Sequence, residues 1–212
     1  MKIVLLRPNY QSHIITPPLG LGYLAAYLNQ NSVEAKIIDG LAADLSPDAL
    51  VQKAIAEKPD AVGITCLTAF YEQTVTISRL LKERGARVII GGVHPTFMPY
   101  ETLKDSGADF LIRGEGEIAL LELAQNNFAK DGISGVYSQD DIECNEQQPC
   151  EKAERFEDLD KLPFPDWSQM SPSSYPKAPH GALVKNFPIG IIMTTRGCPY
   201  DCVFCSSPDF YD

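Results

Sequence analysis

Short apolar runs recur along the chain at Ile3–Leu6, Ala35–Ile38, Ala61–Thr65, Arg87–Ile90 and Phe110–Ile112. Each is rich in Val and Ile and continuous rather than alternating, the pattern of strands buried on both faces. Between them, Leu19–Asn29, Pro47–Glu57, Tyr71–Arg84, Phe97–Asp105 and Glu117–Asn127 carry apolar residues at helical spacing. Leu80, Leu81 and Arg84 followed by Gly85 read as a helix end with a glycine stop. Five strand–helix units in succession predict an α/β, Rossmann-like fold. Its parallel sheet has helices on both faces and the flavodoxin-like strand order 2-1-3-4-5.

This pattern holds over residues 1–138, taken as one binding domain. Residues 139–187 form a connector, acidic up to about Glu154 and then marked by Pro163, Pro165, Pro172, Pro176 and Pro179. The connector also carries Phe156, Leu159, Phe164 and Trp167, so it reads as an ordered strap rather than a loose tether. Residues 188–212 open a third unit, in which Ile189–Thr195 reads as a further buried strand running into Arg196-Gly197-Cys198. No solenoid-type repeat is present.

Composition narrows the function classes. With 44% hydrophobic and 22% charged residues among 212, disordered, collagen-like and disulfide-scaffold readings fall away. A net charge of −10 without a basic stripe argues against a nucleic-acid partner. No apolar run approaches the roughly 18 residues of a membrane span. The amino-terminal run ends at Arg7, too short for a secretory signal, so a cytoplasmic location is expected. Cys66, Cys144 and Cys150 are scattered, whereas Cys198, Cys202 and Cys205 are crowded together, which in a reducing compartment points to metal rather than disulfides.

Cys198-Pro-Tyr-Asp-Cys202-Val-Phe-Cys205 is a C-x3-C-x2-C run on a loop after a predicted strand. Three thiolates at this spacing can each take one iron of a [4Fe-4S] cluster and leave the fourth iron open. A zinc site or three unrelated thiols are the alternatives, although structural zinc takes four ligands and the nearest histidine, His180, lies well upstream. The three cysteines, Phe204 before the last of them and the preceding Thr195-Arg196-Gly197 resemble the opening motif of the radical S-adenosylmethionine superfamily. That resemblance implies S-adenosylmethionine on the open iron, Phe204 beside its adenine, a reducing electron donor and a small-molecule substrate. It covers about 25 residues of a longer catalytic barrel. The chain is therefore expected to be the amino-terminal part of a longer enzyme and inactive alone.

In a doubly wound sheet, ligands bind at the carboxyl ends of the strands near the switch in strand order. The loops there are Pro8–Gly20, Thr65–Phe70, Gly91–Thr96 and Arg113–Glu117. Their glycines allow close backbone approach and their hydroxyls offer hydrogen bonds. None is a G-x-G-x-x-G, and Gly114-Glu115-Gly116 sets an acid where a phosphate would lie, which disfavours a dinucleotide. Pro17-Pro18-Leu19-Gly20-Leu21-Gly22-Tyr23-Leu24-Ala25, Gly91-Gly92-Val93-His94-Pro95-Thr96 and Arg113-Gly114-Glu115-Gly116-Glu117 resemble the cobalamin-binding domain preceding the radical S-adenosylmethionine barrel in one large subfamily.

That resemblance implies cobalamin contacts from Thr65, Thr68, Gly91, Gly92, His94 and Gly114. It also implies methyl transfer to an unactivated carbon, with oxidative ring closure as the alternative within the class. Tyr10-Gln11-Ser12-His13-Ile14-Ile15-Thr16 departs from the D-x-H-x-x-G of proteins that supply a lower histidine ligand, so no protein imidazole is expected on cobalt. Blander readings stand beside these. His94 shapes its glycine loop, His13 is a loop residue and His180 is structural. Cys66 is a small buried hydrophobe, and Glu115 and Glu117 are dipole partners at a helix start. A non-catalytic metabolite-binding module is the rival from another class. A methylthiotransferase relative would need further cluster cysteines, and only Cys66 lies within residues 1–138.

Overall fold

The computed structural model describes residues 1–12, 15–144, 151–176 and 186–211. Five parallel strands, β1 (Lys2–Arg7), β2 (Glu34–Asp39), β3 (Ala61–Thr65), β4 (Val88–Gly91) and β5 (Phe110–Ile112), stand in the expected order 2-1-3-4-5. A sixth, β6 (Val136–Tyr137), pairs antiparallel with β5. Two residues leave no periodic signal, which is why β6 is silent in the sequence.

The continuous apolar runs have a direct cause. Ile3 and Leu5 of β1 pack towards α1 (Leu19–Gln30) and α6 (Glu117–Gln125). Val4 and Leu6 pack towards α2 (Pro47–Ala56), α3 (Tyr71–Glu83) and α5 (Pro99–Ser106). Both faces of the strand are core, so no polar alternation survives. Local chemistry sets several helix ends. Ser46 Oγ accepts from the Ala49 N–H at 3.3 Å with Pro47 in the first turn. Gly85, at φ +73°, ends α3 in the left-handed conformation.

Three expectations are corrected. The helix expected over Phe97–Asp105 is two helices, α4 (Val93–Phe97) and α5, broken at Met98 (φ −126°, ψ 57°). Pro99 excludes helical geometry from the residue before it. The acidic stretch, to which no helix was assigned, opens with a short helix, α7 (Gln139–Cys144). Ile189–Thr195 forms no strand and is largely exposed, Ile192 at 81%. A strand buried in a parallel sheet needs a paired neighbour, and no described strand pairs with it. Another short helix, α8 (Ser207–Tyr211), follows Cys205. No described helix is long and apolar enough to cross a membrane.

The proline-rich part of the connector is built into the domain. Met170 and Tyr175 are buried, and the Asp166 N–H donates to Gly22 O at 3.0 Å. The Gln169 amide accepts from the Ile37 N–H at 2.8 Å and donates to Ala35 O at 3.0 Å, pairing with the outer edge of β2. Tyr175 donates to Asp39 at 2.8 Å, and the same carboxylate takes both Nε and Nη2 of Arg7. Gly22 lets the strap pack directly on α1, since a Cβ there would lie 1.9 Å from Met170 Cε and 3.0 Å from Pro165 Cβ. Met170→Ala is expected to lower unfolding free energy by about 2–5 kcal/mol, as for a core methionine. Urea denaturation measures it, and a change within about 0.5 kcal/mol, usual for a surface site, would show the strap to be peripheral.

Candidate functional site

At the carboxyl ends of β1, β3, β4 and β5, on the α1/α6 side of the sheet, lies a cavity of about 200 Å³. Its existence follows from missing side chains. On β3, Ala61 belongs to the core on this side, and Gly63 and Thr65 follow on the same face by strand alternation. On β4, Ile89 is followed in the same way by Gly91. Gly91 leaves open space, Gly63 makes room for Leu5, and Leu5, Leu21, Leu24, Ile112 and Leu120 line the remainder. A Cβ at Gly63 would come within 2.9 Å of Leu5 Cδ2, whereas one at Gly91 would meet nothing closer than 3.8 Å.

Thr65, Gly91, Gly92 and Gly114 all line this cavity. Gly92 has φ +117° and sits against Cys66, with Cys66 O 2.7 Å from where its Cβ would be, so the turn admits glycine alone. Thr68 and His94 do not line the cavity. They share a hydrogen bond of 3.1 Å between Thr68 Oγ1 and His94 Nδ1, and the imidazole stacks on Tyr71 with ring centroids 4.2 Å apart. His94 is buried, its Nε2 has no hydrogen-bond partner among the described residues, and burial holds its pKa below the usual imidazole range. His13, His180 and Cys150 lie outside the described residues, as does the side chain of Cys144.

Cys198 and Cys202 are exposed and Cys205 half-exposed on the loop before α8. A turn links Cys205 N–H to Cys202 O at 2.9 Å, and Cys205 Sγ accepts from the Ser207 N–H at 3.5 Å. The donor set is right in kind for an iron–sulfur cluster. The thiols are not drawn together, since no group of three His, Cys, Asp or Glu is placed to hold one metal among the described residues. Phe204 is 90% exposed.

The structure brings in residues that read from the sequence as having another role or none. Glu115 and Glu117 are buried and both face Arg196, at 3.1 Å and 2.7 Å. Burial pushes the Glu115 carboxyl up, opposed by Arg196. Their place at the start of α6 suits the helix dipole, but their partner is a cation from the cysteine segment. Gly63 was legible only as a glycine inside a strand, a sign of close approach or missing packing.

Fit to a cofactor can be judged from these dimensions. Whole-ligand sites usually occupy about 300–1,000 Å³. A glycine-opened apolar slot of about 200 Å³ takes a flat ring system rather than an entire corrin cofactor. The site is thus that of a Rossmann-like ligand-binding domain with its mouth at the switch point of the sheet.

Comparison with known proteins specifies the class. The B12 binding domain family model matches residues 11–124. An uncharacterised methyltransferase of Pyrococcus horikoshii is 32% identical over 98% of this chain and 45% of its own length. The anaerobic magnesium-protoporphyrin IX monomethyl ester cyclase of Rubrivivax gelatinosus is 31% identical over 100% of this chain and 39% of its own. The chain thus spans less than half the length of these curated relatives. Among solved structures, the cobalamin-dependent S-adenosylmethionine radical enzyme OxsB superposes with a TM-score of 0.66 at 18% identity, covering 79% of this chain and 24% of that one. This likeness shows the shared fold. The chain belongs to the B12 binding domain family.

The cysteines should differ in reactivity. Cys66 is fully buried and burial pushes its thiol up to about 11, whereas Cys198 and Cys202 are exposed. Iodoacetamide at pH 8 on the native protein is expected to label Cys198, Cys202 and Cys205 and to spare Cys66. Peptide mass mapping reads the outcome, and labelling of Cys66 at a comparable rate would contradict its packing.

Proposed function

We propose that this chain is the cobalamin-binding part of a radical S-adenosylmethionine enzyme, whose reaction is methyl transfer to an unactivated carbon of a small molecule. The observation that carries the reading is the glycine-opened cavity at the switch point, in a domain of the B12 binding family. The division into a binding domain (1–138), a connector (139–187) and the start of a catalytic domain (188–212) belongs to the same proposal. So do a cytoplasmic location and a reducing electron donor.

Thr65, Gly91, Gly92 and Gly114 would hold a flat ring of the cofactor inside the cavity. Thr68 and His94, bonded to one another on the loops after β3 and β4, would meet the part that remains outside. Apolar walls exclude water from the ring, and the glycines let the backbone approach it. Cys198, Cys202 and Cys205 would hold three irons of a [4Fe-4S] cluster, and Phe204 would pack on the adenine of S-adenosylmethionine. When bound, the cluster supplies the electron that cleaves S-adenosylmethionine, and cobalamin supplies a transferable methyl group. The chain's own residues orient these groups and keep solvent from them. Oxidative cyclisation is the second reading, favoured by the match of the whole chain to a cyclase.

The test is retention of hydroxocobalamin through size exclusion, read as corrin absorbance in the protein peak. Stoichiometric co-elution is expected, and its absence would overturn the binding assignment. Gly91→Leu should abolish retention without loss of thermal stability, because a Cβ there meets nothing closer than 3.8 Å and Gly91 lines the cavity into which the rest of the side chain can extend. In the longer parent enzyme, anaerobic reconstitution should give S-adenosylmethionine cleavage that Cys198→Ala removes. Cleavage that persists in that variant would reject the cluster assignment.

A further inference from the structure

The segment carrying the cysteines is held against the binding domain through one buried cation. Arg196 Nη2 donates to Glu117 Oε1 at 2.7 Å, Nη1 lies 3.1 Å from Glu115 Oε2, and the guanidinium stands 5.2 Å from the centre of the Tyr23 ring. Its side chain is 11% exposed and those of Glu115 and Glu117 are 7% and 6%. Much of what flanks it is open to solvent: Ile192 is 81% exposed, Tyr200 71% and Val203 103%. Ile189, Ile191, Phe210 and Tyr211 give the segment half-buried apolar contacts with the domain, and the ion triad is its buried polar attachment.

The triad is also where the cavity closes. Met193, Arg196, Phe210 and Tyr211 come from the cysteine segment and form one wall of the cavity, and Phe210 and Tyr211 meet edge to face at 4.9 Å. We propose that Arg196 is a positioning residue, a latch that holds the cysteine segment as the cover of the cavity and thereby retains a bound cobalamin next to the cysteine loop. The retention part rests on the binding function proposed above; the latch itself does not.

The charge balance makes the latch sensitive. One guanidinium serves two carboxylates, and Glu115 Oε2 lacks an aligned hydrogen bond despite its nearness to Arg196. Removing the cation would leave two buried carboxylates with no paired cation, only the field of Arg155 acting on Glu115, a cost relieved by admitting water and releasing the cover. Lysine would keep the charge but not the planar fork that reaches both partners.

Hydrogen exchange with mass spectrometry on the purified chain tests this. Arg196→Gln is expected to speed exchange in residues 186–211 by about tenfold or more and to leave β1, β3 and β4 unchanged, as in a local opening. The triple variant Glu115→Gln, Glu117→Gln, Arg196→Gln leaves no buried charge behind and should loosen the same segment. Arg196→Lys should fall between it and the wild type. Unchanged exchange in both neutral variants, or faster exchange across the core strands, would overturn the latch. In a second arm, hydroxocobalamin-loaded protein is diluted and corrin release followed. Release from Arg196→Gln should be about tenfold faster than from the wild type, and equal rates would overturn the retention role. A wild-type chain that holds no cobalamin rejects the binding function and retention together, while the exchange measurement still decides the latch.

Discussion

The reversal of strand order between β1 and β3 is the constraint on which the site depends. From β1 the chain passes outward to β2, then returns across β1 to β3 and runs on through β4 and β5. The connections leaving β1 and β3 therefore diverge to opposite sides, and a crevice opens above their carboxyl ends. Topology alone gives only a shallow groove. Gly63 and Gly91 deepen it, because each stands on the α1/α6 face where a strand would ordinarily place a core side chain. The cavity is thus a deliberate failure of packing at the one place the fold leaves accessible. A dry void of this kind forfeits dispersion contacts, a cost that a ring seated in it would offset.

Arg7 and Asp39 stabilise the rim of that crevice. They sit at the ends of β1 and β2, paired in register, and form a two-bond guanidinium–carboxylate contact. Arg7 also donates to Thr16 O at 2.7 Å, in the long loop after β1, and Tyr175 reaches the same carboxylate from the strap. One ion pair therefore sets the loop leading into α1 and the return of the connector together. Gln169 covers the outer edge of β2 and removes its free backbone groups from pairing with another chain.

Much of the fold was legible because its signals are local. Runs such as Ile3–Leu6 and Ala61–Thr65 declare doubly buried strands, and Gly85 declares a helix end. Pro99 could have shown the break in Phe97–Asp105, but apolar spacing runs on across it and masked the break. Of the candidate cofactor contacts, Thr65, Gly91, Gly92 and Gly114 converge on the cavity, while Thr68 and His94 bond to each other outside it. The roles of Glu115 and Glu117 were not legible. A pair of acids at a helix start has a complete local explanation, and the partner that revises it lies 79 residues from Glu117 in the chain. Ile189–Thr195 fails for the same reason in reverse, since apolar composition promises a strand only where neighbouring strands exist to bond it.

The distribution of exposed apolar side chains places the unfinished surface at the same edge of the sheet. Leu67, Val93, Phe97 and Met98, on or beside the loops after β3 and β4, are all more than a third exposed. Ile192, Val203 and Phe204 of the cysteine segment are exposed further still. Single exposed apolar residues are ordinary, but runs of them on the loops after β3 and β4 and along the cysteine segment mark surface suited to burial against something apolar. A cavity too small for a whole corrin cofactor, set beside such a surface, divides the binding task. Under the proposed function the slot would take one flat ring, and the loops after β3 and β4 would meet the bulk that stays outside. On this view Arg196 matters through geometry more than through its own interaction energy. Its two carboxylates belong to the loop and first turn between β5 and α6, so the cysteine loop is tied in register to that loop.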